Sequence, residues 1–305
     1  MNPVESQRLG VIDLGTNTFH LLIAEPDAQT VFRPVYRERH FIKLAEEGIE
    51  RIGEQAFARG IAAMQTFREH LDAHQVKRLQ AVGTAALRTA QNGAAFIAAV
   101  QARTGIEVQL VSGAREAELI HQGAMLAVSP MTERMLIMDI GGGSVEFIIA
   151  DPAGVHWAQS FPVGVAVLHR LFHRSDPIAA LEIEQLHRFL QEELGPLQAA
   201  LRQHPVQVLT GASGTFDVLE NVLVKEKLHP HHSLLSIEAF PPFYEQVRAM
   251  TLHERLHMEG MPADRADMIV VALILIEHIL RSHPFQQIVI SAFAMKEGIL
   301  YEMLR

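Results

Sequence analysis

Two distant stretches of this 305-residue chain carry an acid at the end of an apolar run, followed by a turn of glycine and hydroxyl residues. The first reads Gly10-Val11-Ile12-Asp13-Leu14-Gly15-Thr16-Asn17-Thr18-Phe19-His20-Leu21-Leu22-Ile23-Ala24, and the second Leu136-Ile137-Met138-Asp139-Ile140-Gly141-Gly142-Gly143-Ser144-Val145-Glu146-Phe147-Ile148-Ile149-Ala150. In such a turn glycine lets the backbone approach a ligand, and successive N–H groups form a nest for phosphate oxygens. Thr16, Asn17, Thr18 and Ser144 add side-chain donors, while Asp13 and Asp139 sit where a strand ends, suited to hold a hard cation directly or through water. Magnesium would offset the repulsion between these acids and a polyanion. A single copy would read as a tight hairpin with an Asx turn. Two copies with matching Asp favour phosphate binding.

A third element is Leu209-Thr210-Gly211-Ala212-Ser213-Gly214-Thr215, followed by a helical pattern over 216–225. A glycine and hydroxyl loop opening a helix is an anion site, because free N–H groups and the helix dipole point outward. Glu116 falls near the start of another expected helix, in Ser112-Gly113-Ala114-Arg115-Glu116-Ala117. It could deprotonate an attacking water, or simply complement the helix dipole, and by its position alone the second reading is the default. Arg88, in Gly83-Thr84-Ala85-Ala86-Leu87-Arg88, could clamp a phosphoryl oxygen, although a solvated surface arginine is commoner. Seventeen histidines invite a metal reading, above all His229-Pro230-His231-His232. There the proline breaks helical spacing and no carboxylate pattern accompanies the imidazoles, so an exposed loop without zinc is expected. The chain has no HExxH, GxSxG or GxxxxGK[ST] motif.

The elements that position these residues are legible as an alternation. Short apolar runs at 10–14, 79–82, 108–111, 135–140, 206–209 and 288–290 predict buried strands. Amphipathic segments at 55–70, 92–104, 179–203 and 267–282 predict helices. The class is α/β, and the repeated hairpin predicts two homologous domains whose turns face each other across a cleft. A composition of 49% hydrophobic and 20% charged residues fits a globular chain with one or two cores. The formal charge of -9 argues against binding a nucleic-acid polymer. With no cysteine, chemistry must use oxygen and nitrogen groups. The apolar run 9–12 is cut short by Asp13, so no signal peptide or membrane span is expected, and the cytoplasm is the default location.

These residues together resemble the exopolyphosphatase and guanosine pentaphosphate phosphohydrolase family, the Ppx/GppA family. It is a branch of the actin, sugar-kinase and heat-shock-chaperone superfamily, built from duplicated ribonuclease H-like domains. The resemblance covers essentially the whole chain: the two hairpins, Gly83 to Arg88, Ser112-Gly113 with Glu116-Ala117, Gly211 to Thr215, and Ala263-Asp264-Arg265-Ala266-Asp267. It implies a first domain over 1–121 plus 297–305 and a second over 122–296. It implies that Glu116 is the base that activates water, overturning the default reading, and that Arg88 binds the phosphate being cleaved. Asp139 and Glu146 would hold magnesium with help from Asp13. Gly15, Thr16, Asn17, Gly142, Gly143, Ser144, Ser213 and Gly214 would cradle the phosphate chain of polyphosphate or guanosine pentaphosphate. A homodimer is plausible by the same resemblance.

One departure is Ala292, in Ser291-Ala292-Phe293, where family members often carry Asp. That places substrate preference in question more than hydrolysis. Longer members also add C-terminal helical domains, so weaker processivity on long polymers is expected of this chain. Two other functions compete: an ATP-dependent kinase of the same superfamily, and a sensor that binds an alarmone or polyphosphate without hydrolysing it. The kinase would show acceptor-dependent ADP formation. The sensor would bind tightly and release no phosphate.

Overall fold

The structure, a computed structural model, describes residues 7–129 and 131–305. The chain divides into two compact units, one running as far as Gly123 and including Met295–Arg305, the other Ala124–Ala294.

In the first unit β1 (Leu9–Leu14), β2 (Thr18–Asp27), β3 (Val31–Phe41), β4 (Arg78–Gly83) and β5 (Val108–Leu110) form one sheet in the order β3-β2-β1-β4-β5. The helices are α1 (Glu54–Ala73), α2 (Ala85–Thr89), α3 (Gly93–Thr104) and α4 (Gly113–Val128), the last running on into the second unit. β1 pairs antiparallel with β2 and parallel with β4. Its position between the two explains its nearly unbroken burial, since a central strand covered on both faces has no polar side.

The second unit repeats this plan. Its strands are β6 (Met135–Ile140), β7 (Val145–Asp151), β8 (Gly154–Phe161), β9 (Val208–Ala212), β10 (His232–Leu235) and β11 (Gln287–Ser291), in the order β10-β11-β9-β6-β7-β8. Read from β8, the sequence of antiparallel, antiparallel, parallel and parallel neighbours matches that from β3. Its helices are α5 (Val165–Phe172), α6 (Ala180–Glu193), α7 (Gly195–Gln203), α8 (Gly214–Leu223), α9 (Phe240–Ala249), α10 (Leu252–Leu256) and α11 (Ile269–Ser282), and α12 (Met295–Met303) belongs to the first unit. The repetition extends to irregularities: register shifts fall between Ile23 and Ala24 and between Ile149 and Ala150, equivalent places in the two hairpins. Two copies of a ribonuclease H-like α/β domain, the class expected from the sequence, are what the chain forms.

Each unit has its own apolar core. In the first, Phe19, Phe67 and Phe96 lie between the sheet and α1 and α3. In the second, α11 is buried almost all round, from Ile269 through Ile276, and packs with residues of α6 and α9. α12 meets α4 backbone to backbone: a Cβ on Gly298 would lie 1.9 Å from the Leu119 carbonyl oxygen, so only glycine fits there.

Several sequence expectations are corrected. The helix expected over 179–203 is two, because Gly195-Pro196 interrupts it after Leu194, and proline removes an interior N–H. The strand expected over 206–209 runs instead over Val208–Ala212, so Thr210 and Gly211 belong to the ladder. The histidine run is no simple exposed loop: His232 opens β10, its Nδ1 lies 2.8 Å from the Ala127 carbonyl oxygen, and its ring stacks on His229 at 4.1 Å. Ala292 is exposed, and its N–H donates to the His231 carbonyl at 2.9 Å.

Candidate functional site

The two hairpin turns are built alike. In the first unit Gly15 N–H donates to the Thr18 carbonyl at 3.1 Å; in the second Gly141 N–H donates to the Ser144 carbonyl at 3.0 Å. A Cβ at either glycine would come within 2.9 or 2.8 Å of that same oxygen, closer than a real Cβ contact. The segment after the third strand then straps the turn from behind. Leu44 N–H donates to Thr16 O (2.7 Å) and those of Ile42 and Lys43 to Asn17 O (2.9 and 3.0 Å), while Val165 N–H donates to Gly141 O (3.0 Å) and Ala166 N–H to Gly142 O (2.9 Å). The strap crosses so closely that a Cβ on Gly164 would lie 2.4 Å from the backbone of Gly142 and Gly143. With their carbonyls committed to the strap, the turns are fixed in shape.

The first unit brings Arg88 and Glu116 together. β4 and β5 are parallel neighbours, so the segments leaving their C-terminal ends, α2 and α4, start side by side, the usual place for a ligand in such sheets. Arg88 Nη1 donates to the Val111 carbonyl at 2.6 Å and lies 3.6 Å from Glu116 Oε2. Glu116 is 7% exposed in the first turn of α4, whose start is capped by Ser112 Oγ accepting from Arg115 N–H at 3.2 Å. Arg115 itself turns to Glu118 and Glu302, and these two carboxylates raise its pKa. Thus Glu116 is placed by the fold, with the Arg88 guanidinium beside it. Asp13 stands opposite His20 in the ladder.

The second unit differs at that register. Asp139 stands directly opposite Glu146, and both are buried, at 7% and 2% exposure. Like charges facing across a ladder are destabilising. Glu146 Oε1 accepts from Ser144 Oγ at 2.8 Å and from Ser160 Oγ at 2.6 Å, and Asp139 accepts from Ser213 Oγ. No group of three His, Asp or Glu among the described residues forms a metal cage. Two buried carboxylates with hydroxyl neighbours do, however, fit magnesium, which takes oxygen ligands, uses one or two carboxylates and keeps places for water and phosphate.

Ser213 follows β9 and caps the start of α8 with φ 71° and ψ 175°, a backbone region reserved almost entirely for glycine. The strained residue holds Asp139 and stands immediately before the first turn of α8, which begins at Gly214. Sequence reasoning gave no role to two residues found here. Ser160 lies on β8, whose pattern Gly-Val-His-Trp-Ala-Gln-Ser-Phe has no continuous apolar run to betray a strand. Arg265 comes from a loop, and its guanidinium lies over Gly214, where a Cβ would fall 2.0 Å from Nη2. Its signal was present in the Ala263 to Asp267 motif, but the partner it meets was not.

The chain is thus a duplicated α/β protein whose two glycine turns are built alike, each following a strand that carries an acid next to its last residue. A model of the Ppx/GppA phosphatase family matches residues 22–305. The chain belongs to the Ppx/GppA phosphatase family. Among solved structures it is similar to an exopolyphosphatase from Cytophaga hutchinsonii, at 39% identity over 98% of each chain with a TM-score of 0.92. It is also similar in fold to the Aquifex aeolicus member of the Ppx/GppA family, at 22% identity over 98% of this chain and 97% of that one, TM-score 0.81.

Proposed function

We propose that this phosphatase removes the terminal phosphate of inorganic polyphosphate or guanosine pentaphosphate by attack of a water that Glu116 deprotonates. The observation that carries the reading is Glu116 itself: a carboxylate 7% exposed in the first turn of α4, 3.6 Å from the guanidinium of Arg88, whose side chain is about a third exposed. The guanidinium beside it is placed to bind the phosphoryl group that the activated water attacks. The 39% identical relative described as an exopolyphosphatase supports the substrate class.

In this reading Glu116 accepts a proton from water as its oxygen bonds to the terminal phosphorus. The anhydride P–O bond breaks in line, giving orthophosphate and a chain shorter by one phosphate, with no covalent enzyme intermediate. Arg88 neutralises the non-bridging oxygens of the phosphoryl group and orients them. The turns around Gly15, Thr16, Asn17, Gly142, Gly143 and Ser144, with Ser213 and Gly214 at the head of α8, hold phosphate oxygens with N–H and hydroxyl donors. Asp139 and Glu146 would hold magnesium; bound there, the ion would neutralise charge on the phosphate chain.

The test is phosphate release from medium-chain polyphosphate and from guanosine pentaphosphate, with magnesium or chelator, for the native chain and Glu116→Gln. Loss of a general base lowers the rate by about 10²–10⁴-fold. Release that is independent of magnesium, or equal in Glu116→Gln, would refute the mechanism, and the ratio of native rates ranks the two substrates.

A further inference from the structure

The two hairpins share a register, so each sets three residues in one row beside its glycine turn. In the first unit Asp13 on β1 pairs with His20 on β2, and His20 with Arg39 on β3. In the second unit Asp139 on β6 pairs with Glu146 on β7, and Glu146 with Ser160 on β8. The first row sets two basic side chains against one acid. The second sets two buried acids side by side and ends in a hydroxyl, with no basic residue among the three. Acids that face each other across a ladder repel, so the second row is the one that a cation would stabilise.

The hydroxyls decide how a cation can be held there. Ser160 Oγ donates to Glu146 Oε1 at 2.6 Å, and Ser144 Oγ donates to that same oxygen at 2.8 Å. Ser144 comes from the glycine turn just before β7 and Ser160 from the edge strand β8, so turning the carboxylate would break both bonds. A carboxylate oxygen has about two lone-pair positions, and at Oε1 both are engaged. Glu146 therefore presents at most one oxygen, Oε2, to a metal. Calcium takes about six to eight oxygens and often both oxygens of one carboxylate, whereas magnesium is held through one or two carboxylates and keeps several waters. We propose that Ser160 is a positioning residue that sets the choice of metal: by holding Glu146 Oε1 together with Ser144, it restricts Glu146 to a single-oxygen ligand and favours magnesium over calcium. This rests on the function proposed above, which assigns magnesium to Asp139 and Glu146.

The melting temperature of the full chain, followed against magnesium and separately against calcium concentration, gives a Kd for each ion without any turnover. The native chain is compared with Ser160→Ala, Ser160→Thr and Glu146→Gln. Residues that orient a metal ligand are worth about 10–100-fold in affinity. Ser160→Ala should raise the magnesium Kd by about that factor and the calcium Kd by much less, because the released lone pair lets Glu146 bind through both oxygens. The calcium-to-magnesium ratio of Kd should then shrink by about tenfold. Ser160→Thr keeps a hydroxyl and should restore the native ratio. Equal changes in the two Kd values, or a lower melting temperature in chelator with both Kd values native, would make Ser160 a structural residue of the edge strand and overturn the proposal. If the native chain binds neither ion, or Glu146→Gln binds magnesium as the native chain does, the metal assignment falls and this proposal with it. If Glu146→Gln loses magnesium while Ser160→Ala keeps the native ratio, this proposal alone fails.

Discussion

Ser213 carries two opposing duties. Its φ of 71° with ψ of 175° costs about 1–3 kcal/mol for a residue with a side chain, yet that side chain is the hydroxyl donor to Asp139. The two can be separated. Ser213→Gly relieves the backbone and should melt no lower than the native chain, whereas Ser213→Ala keeps the strain, loses the hydrogen bond and should lose about 1 kcal/mol of stability in denaturant unfolding. Both should release phosphate more slowly if the hydroxyl orients Asp139. Glu146 makes a second pair of opposing effects. Because it faces Asp139 in the ladder, Glu146→Gln removes a like-charge pair and is expected to raise the melting temperature in chelator. If Glu146 helps hold magnesium, magnesium should raise the melting temperature of the native chain and this change should erase the increment. A variant that still gains that increment would remove Glu146 from the metal site.

At the scale of the elements, the duplicated hairpin is a backbone device. Gly15 and Gly141 are required because a carbonyl oxygen stands 2.9 and 2.8 Å from where a Cβ would be. Gly15→Ala and Gly141→Ala should each cost about 1–3 kcal/mol, read from the urea midpoint, because the turn must open to admit a methyl group. The hairpins were legible in the sequence because central strands bury both faces and so read as unbroken apolar runs, as β1 and β6 do. The edge strands β3 and β8 were not legible, since Val-Phe-Arg-Pro-Val-Tyr-Arg-Glu-Arg-His-Phe mixes charge and apolar residues along a half-exposed ribbon. Those edge strands matter here: β8 carries Ser160 to Glu146, and both lead into the straps that fix the turns.

For the molecule as a whole, two separate cores and an α11 buried nearly all round indicate where acid should act first. Burial pushes His278 down to about 4 from 6.5, with His187 and Arg281 adding to the effect. Burial likewise pushes His173 down to about 4, where His169 and Arg255 lower it further and Asp176 and Glu182 oppose them. Both histidines belong to the second unit. Each is neutral when folded but takes a proton when unfolded below about pH 6.5, so their stability contribution is complete above that value. It declines as the pH falls toward about 4 and changes no further below it. Thermal unfolding followed from pH 7 to pH 4 should show this decline, and His278→Gln should flatten part of it. A slope unchanged in both His278→Gln and His173→Gln would assign the acid sensitivity elsewhere. Among the described residues no helix is long and apolar enough to cross a membrane.

The sequence by itself determined the central strands, the repeat that makes two domains, and the residue types at each turn. All of these are written in local patterns, and a period or a glycine turn needs no distant partner to be seen. The tertiary structure decided what no local pattern contains. It set which acid faces which, so that Asp13 meets His20 while Asp139 meets Glu146, and it brought Arg88 beside Glu116 through two parallel strands. It also placed Arg265 on Gly214 through a loop gripped by the buried Arg255. Such pairings join residues far apart in the chain, and they exist only once the register of the sheets and the burial of the cores have fixed where each segment lies.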